Sequence, residues 1–307
     1  MFNKEDRIFS IDWIQGVLPI REVDEVFSFF DSLMDETNRN NFVEFATGMH
    51  NFRRRYGLYG SGMIQIAYSP SEECEWLAEV ENKKGINAGI FIIVSGDGLR
   101  LLGDKQFELY RFLHKYNFQC TRIDPALDIY DRDNLIVPCL IGAFANSSSW
   151  EPGENTISTR MSRKTVKLHI HMDYCRDWNN HSTNIEIGKS GSELGRFKVY
   201  DKYLEVLSVP RLRKCANELL KDVPDEYWYR LEYSLGKKHG VSLFNEFVES
   251  NFNIASLFKW CVNNFFQVRI GKTKGYEFAH LDMCQIWIDF EAWVSSLSEI
   301  ELESIKI

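Results

Sequence analysis

The segment GRFKVYDKYLEV, residues 195–206, brings two tyrosines together with a lysine and with carboxylates. The stretch RFKVYDKYLEVLSV is predicted to be a strand or a strand that passes into a helix. On a helix, Tyr200 and Tyr203 would lie on one face, because they are three residues apart. A phenol with its ordinary pKa of about 10 is a weak nucleophile unless a cation or a metal helps it. Lys202 lies between the two tyrosines in the sequence. The segment therefore predicts either phosphodiester cleavage through a phosphotyrosine or simple packing of both rings.

Two predicted strands carry acidic and basic residues at alternate positions. In TRIDPALDIYD, alternation places Arg122, Asp124 and Asp128 on one open face, and in YWYRLEYSL it places Arg230 and Glu232 together. Residues four apart on a strand are about 13 Å apart, so one ion cannot readily bridge both aspartates. If the two strands are neighbours, their acids converge on Mg²⁺ or Mn²⁺. The alternative is a ladder of cross-strand ion pairs.

Two further motifs have weaker signals. Lys189, Ser190 and Ser192 follow a predicted strand in IEIGKSGS, where backbone N–H groups could hold a phosphate, although the spacing is not that of a Walker loop. His169 and His171 alternate on the predicted strand KLHIHMD. They are either polar strand residues or additional metal ligands.

The composition limits the classes of protein. The 307-residue chain has a net charge of −8, and none of its seven cysteines forms a CxxC pair, which favours a reducing cytoplasm over a disulfide framework. No run approaches the ~20 apolar residues of a membrane span. The negative charge argues against a broad nucleic-acid coat. Basic residues nevertheless cluster at 53–55, 160–167, 211–214 and 236–240. This clustering predicts one basic face.

Hydrophobic periodicity predicts an α+β fold with a largely antiparallel central sheet flanked by helices. This region extends over residues 1–238, and residues 239–307 are predicted to form a helical accessory region. Helices are predicted over 71–85 and 210–226. In AGIFIIVSGDGLRLLG, an apolar strand is predicted to lead into a glycine-rich turn.

Six blocks occur in a recognisable order: IDWIQG, IIVSGDGLR, TRIDPALD, IGKSGS, FKVYDKYLE and YRLEYSL. In this order, over about residues 8–238, the chain resembles the replication initiation factor family (Rep_trans type) of plasmids and filamentous phages. One departure is Lys198, which stands where the family usually has arginine and which loses the bidentate fork of that side chain.

The resemblance implies a rolling-circle initiator or relaxase that binds origin DNA, nicks one strand and stays joined to the 5′ phosphate through tyrosine until it rejoins the strand. It implies a catalytic group of Tyr200, Lys202 and Glu205, and Mg²⁺ or Mn²⁺ on Asp124, Asp128 and Glu232. Contacts to DNA phosphates are expected from Lys189, Ser190, Ser192, Arg196, Lys198, Arg122 and Arg230.

Other expectations concern partners and an alternative function. The helical C-terminal region is expected to serve dimerisation or contact with a host helicase, and no membrane contact is expected. The alternative function is that of a non-catalytic DNA-binding regulator that retains the initiator fold.

Overall fold

The fold is given by a computed structural model. It describes residues 7–19, 23–34, 43–47, 64–68, 90–130, 140, 155–159, 168–174, 181–188, 195–208, 228–236, 239–270, 282–283 and 285–296. The helices predicted over 71–85 and 210–226 lie outside these residues. None of the described helices has the length and apolar character needed to span a membrane.

The described strands are, in chain order, β1 (Arg7–Leu18), β2 (Val43–Thr47), β3 (Ile64–Tyr68), β4 (Ile90–Ser95), β5 (Gln119–Tyr130), β6 (Asn155–Thr159), β7 (Leu168–Tyr174), β8 (His181–Gly188), β9 (Arg196–Asp201), β10 (Trp228–Gly236) and β11 (Phe266–Ile270). The described α-helices are α1 (Val23–Leu33), α2 (Gly96–Leu102), α3 (Gln106–Lys115), α4 (Lys202–Ser208), α5 (Gly240–Glu249), α6 (Ile254–Asn264) and α7 (Gln285–Ser296).

The chain divides into two compact units. Unit A consists of Met1–Ser10, Pro125–Leu235 and Asn253–Ile307, and unit B consists of Ile11–Asp124 and Gly236–Phe252. Strand β5 contributes its first half to unit B and its second half to unit A. The boundary predicted between residues 238 and 239 stays a prediction.

Unit A contains sheet strands in the order β5-β10-β9-β8-β7, and the pairs β10–β9, β9–β8 and β8–β7 are antiparallel. Its core is aromatic. The ring of Tyr233 in β10 lies 4.5 Å from Phe197, 5.5 Å from Phe258 of α6 and 6.2 Å from Phe266, measured between centroids. Trp287 of α7 meets Phe197 edge-on at 6.5 Å. The C-terminal segments therefore cover the apolar face of β9 and β10.

Unit B contains strands in the order β2-β3-β4-β1-β5, with β2 and β3 parallel and the pairs β3–β4 and β4–β1 antiparallel. Its core joins α3 to α5. The ring of Tyr110 packs against Phe247 at 5.0 Å, and Phe118 packs against Phe244 at 5.4 Å. The hydroxyl of Tyr110 donates to Gln106, and complete burial raises the pKa of this phenol far above its usual range.

The predicted α+β class and its largely antiparallel sheet are confirmed. Two local predictions are wrong. Residues after β4 form helix α2 rather than a turn, because the Ser95 side chain accepts the Gly98 N–H at 3.3 Å and caps the helix, which ends at Gly103 with φ of 53°. The region after residue 238 is not wholly helical, because β11 pairs antiparallel with β6 in a separate two-stranded sheet.

Candidate active site

The polar face of unit A lies on β8, β9 and β10. In the β9–β10 register, Tyr200 lies opposite Arg230 and Lys198 lies opposite Glu232. In the β8–β9 register, Lys198 lies opposite Glu186. Since side chains alternate along a strand, these residues share the face opposite the aromatic core. The pairing thus places residues of three strands on one surface.

The central feature of this face is a carboxylate shared by a phenol and an ammonium group. The hydroxyl of Tyr200 donates to Glu232 Oε2 at 3.2 Å, and Lys198 Nζ pairs with Glu232 Oε1 at 3.3 Å. Tyr200 is 8% exposed and Glu232 is buried. The Nζ atoms of Lys198 and Lys202 lie 5.8 and 5.7 Å from the centroid of the Tyr200 ring, within range of a cation–π interaction. Tyr200 is therefore oriented by one acceptor and flanked by two positive charges.

The change from strand β9 to helix α4 separates the two tyrosines. Tyr200 ends the apolar–polar alternation of β9, and Tyr203 lies in the first turn of α4. The structure thus has the predicted change from strand to helix, and only Tyr203 lies on the helix, which begins at Lys202. Lys202 forms an ion pair with Glu205 three residues on, so the structure brings these two predicted residues together beside the Tyr200 ring.

Asp201 positions the start of this helix. Its Oδ1 accepts the backbone N–H of Leu204 at 2.8 Å, as an N-terminal cap does. Burial raises the pKa of Asp201 to about 6, against the smaller opposing effect of its hydrogen bonds from the backbone of Leu204 and Tyr203.

Arg196 extends the row of cations on β9. Its Nη1 pairs with Glu186 Oε1 at 3.2 Å, while its buried Nε has no hydrogen-bond acceptor among the described residues. Gly188 and Gly195 end the neighbouring strands with φ of 89° and 76°, which favours glycine. A Cβ on Gly188 would lie 2.6 Å from the Gly195 carbonyl oxygen. The backbone on either side of residues 189–194 is thus tightly fixed.

Asp128 is held by a buried arginine. The Nε and Nη2 atoms of Arg230 donate to the two carboxylate oxygens at 2.7 Å each, and the residues are 4% and 3% exposed. In this arrangement Arg230 positions Asp128, and a contact of Arg230 with DNA phosphate stays a prediction.

In unit B, Arg122 and Asp124 form a second pair on β5. The Nε atom of Arg122 donates to both oxygens of Asp124, at 3.0 and 2.9 Å. The expectation of an open face at Asp124 and Asp128 is wrong, since both carboxylates are buried. Each is neutralised by its own arginine.

The donor chemistry of the acids can be compared with the needs of a metal. Carboxylate oxygens suit Mg²⁺ and Mn²⁺, and Mg²⁺ needs only one or two of them when phosphates and waters complete its shell. Within the described ranges, no group of three or more His, Cys, Asp or Glu side chains could hold a metal ion. Asp124, Asp128 and Glu232 therefore do not gather into one three-acid site among these residues, and metal binding itself stays a prediction.

Some predicted residues cannot be placed. Lys189, Ser190 and Ser192 lie outside the described residues. His169 and His171 lie on β7, opposite Glu186 and Asn184 in the strand register, and their side chains are outside the described part.

Sequence reasoning missed two contributors. Glu186, the partner of Arg196, is separated from it by ten residues, and only the β8–β9 register reveals the pairing. The second contributor is Trp13, whose ring centroid lies 4.9 Å from the Cζ of Arg122. The sequence shows that Trp13 and Gln15 alternate on a strand, but it does not show that β5, which carries Arg122, lies beside them.

Comparison with solved structures gives matches that include a replication initiator. The solved structure "Structure of Rolling Circle Replication Initiator Protein from Geobacillus stearothermophilus" is similar to this chain with a TM-score of 0.61 and 14% sequence identity. The similarity covers 95% of this chain and 99% of that chain. No family model and no curated protein matches this chain. The chain therefore has the fold of a rolling-circle replication initiator.

Proposed function

We propose that this chain is a rolling-circle replication initiator that nicks and rejoins one strand of origin DNA through a covalent link to Tyr200. The observation that carries the proposal is the placement of Tyr200, Glu232 and Lys198 on one face of β9 and β10. The similarity of the fold to a replication initiator supports the same role. Origin DNA is the proposed partner, and a second copy of the chain or a host helicase stays a prediction.

The proposed reaction is a transfer of a phosphodiester. The Tyr200 oxygen forms a bond to phosphorus and releases its proton to solvent. The bond from phosphorus to the 3′ oxygen breaks, and that oxygen takes a proton from solvent and leaves as a 3′-hydroxyl. Reversal rejoins the strand. Glu232 orients the phenol by accepting its hydrogen bond, and Lys198 and Lys202 place positive charge where the transition state gains negative charge.

Binding of the DNA is assigned to the basic residues around the tyrosine. Arg196 and Lys198 would exchange their carboxylate partners for phosphates, joined by Lys189, Ser190 and Ser192. Glu205 would hold Lys202 in place. A bound Mg²⁺ or Mn²⁺ would polarise the scissile phosphate, with Glu232 as the proposed protein donor and with DNA phosphate and water completing its shell.

The test is a nicking assay with detection of covalent adducts. The substrate is supercoiled plasmid that carries the origin region of the genetic element encoding the chain, with Mg²⁺, Mn²⁺ or chelator. Wild type and Tyr203→Phe should nick and become attached, whereas Tyr200→Phe should bind without attachment. A mobility shift with no nicking by wild type in either metal would instead favour a non-catalytic DNA-binding regulator.

A further inference from the structure

A second cluster of chemistry-bearing side chains lies in unit B. The indole N–H of Trp13 donates to Gln15 Oε1 at 2.8 Å, and Gln15 Nε2 donates to the Thr121 hydroxyl at 3.3 Å. This relay holds the indole ring on the sheet at a fixed orientation. Trp13 remains partly exposed.

The guanidinium of Arg122 stacks on this ring. Its Cζ lies 4.9 Å from the centroid, and its Nε is engaged by Asp124, which is fully buried. The ion pair neutralises the charge of Arg122 and fixes the plane of the guanidinium. The side chain of Arg122 is nevertheless 30% exposed.

An oriented and partly exposed guanidinium over an indole offers a flat surface that suits a planar ligand. Unpaired bases stack on aromatic rings and on arginine planes, and such stacking tolerates any base sequence.

We infer that Trp13 and Arg122 form a stacking platform for an unpaired base of single-stranded DNA. The inference rests on the proposed function, because nicking at an origin requires a locally single-stranded segment. It assigns to unit B a ligand contact that does not depend on Tyr200. Gln15 and Thr121 act as positioning residues, since they hold the indole ring.

The experiment compares two ligands that share a backbone. Fluorescence anisotropy measures the affinity of the full chain for labelled oligo-dT and for an abasic oligonucleotide of the same length. Wild type should prefer oligo-dT. Trp13→Ala should weaken binding to oligo-dT by about five- to a hundred-fold, the range of one lost base stack, and leave the affinity for the abasic strand unchanged.

Three further variants keep the inference falsifiable if Trp13→Ala does not fold. Trp13→Phe retains an aromatic face and should keep most of the preference. Arg122→Lys retains the positive charge but lacks the planar guanidinium, and should lose part of the preference for oligo-dT over the abasic strand. Trp260→Phe is the control, because Trp260 is a partly exposed tryptophan of unit A that packs on Phe265. This variant should keep the full preference for oligo-dT.

Equal weakening of both oligonucleotides by Trp13→Ala, or a wild type without any preference for bases, would overturn the platform. Attachment through Tyr200 without a base preference would overturn the platform alone. A base preference lost in Trp13→Ala, in a protein that never becomes attached to DNA, would overturn only the proposed nicking.

Discussion

The two faces of the β9–β10 pair in unit A come from alternating residues of the same two strands and have opposite chemistry. One face carries Phe197 and Tyr233, which are fully buried against α6, α7 and β11. The other carries Lys198, Tyr200 and Glu232, joined by a hydrogen bond and an ion pair. Strand alternation thus separates the groups that stabilise the fold from those proposed to act on DNA. Substitutions can therefore test each face by itself.

The largest expected effect on stability lies on the aromatic face. Phe258→Ala removes a fully buried ring that meets Tyr233 edge-on at 5.5 Å, and should lower the free energy of unfolding by about 3–5 kcal/mol. Tyr200→Phe on the opposite face loses one hydrogen bond and should cost about 1 kcal/mol. Chemical denaturation followed by circular dichroism measures both. Equal losses would refute the separation of the two faces.

A comparable effect is expected at the buried ion pair of the same unit. Asp128→Ala would leave the charge of Arg230 buried without its carboxylate and should destabilise the fold by about 3–5 kcal/mol. The double variant Asp128→Leu, Arg230→Met removes both charges and should recover most of this loss in the same denaturation assay. A double variant as unstable as Asp128→Ala would contradict the view that the loss comes from the unpaired buried charge of Arg230.

A smaller effect is expected on DNA binding. Glu186→Gln removes the carboxylate that competes with a DNA phosphate for Arg196, so the phosphate contact of Arg196 forms more fully. The affinity for a single-stranded oligonucleotide should rise at low salt, and the slope of log K against log salt should steepen by up to about 0.7. Glu108→Gln, an exposed change on α3 with the same effect on net charge, should leave the slope unchanged. Identical slopes for both variants would contradict the assignment of Arg196.

The smallest effect is a change in pH dependence. Burial raises the pKa of Asp201 from 3.8 to about 6, so the folded state binds a proton more tightly than the unfolded state between these values. This group therefore makes stability fall as pH rises from about 4 to about 6. Asp201→Asn still caps α4 but cannot titrate, so its stability should fall less over this interval. Denaturation at several pH values measures the difference, and parallel curves would contradict the raised pKa.

Local sequence patterns were enough to predict most elements of the sheet. Alternating residues predicted β9 and β10 and the separation of Glu232 from Tyr233, because a strand's period of two is visible in a short window. Helix α2 was missed because its two glycines outweighed the cap from Ser95, which depends on side-chain geometry.

The candidate site was only partly predictable. Tyr200, Lys202 and Glu205 lie in one segment and could be chosen from it, whereas Glu186 reaches Arg196 only through the pairing of β8 with β9. The burial of Asp124 and Asp128 also depends on what surrounds β5. The pair Arg230–Asp128, 102 residues apart, shows that such contacts between distant parts of the chain have no signature in any single window of sequence.

The central claim is that Tyr200 carries the covalent link to DNA. It is tested most directly by trapping the wild-type protein on a nicked origin oligonucleotide, digesting the complex with nuclease and protease, and sequencing the modified peptide by mass spectrometry. We predict a nucleotidyl phosphate on Tyr200 within the segment that spans β9 and α4. A modification on Tyr203, or on a residue outside this segment, would contradict the account.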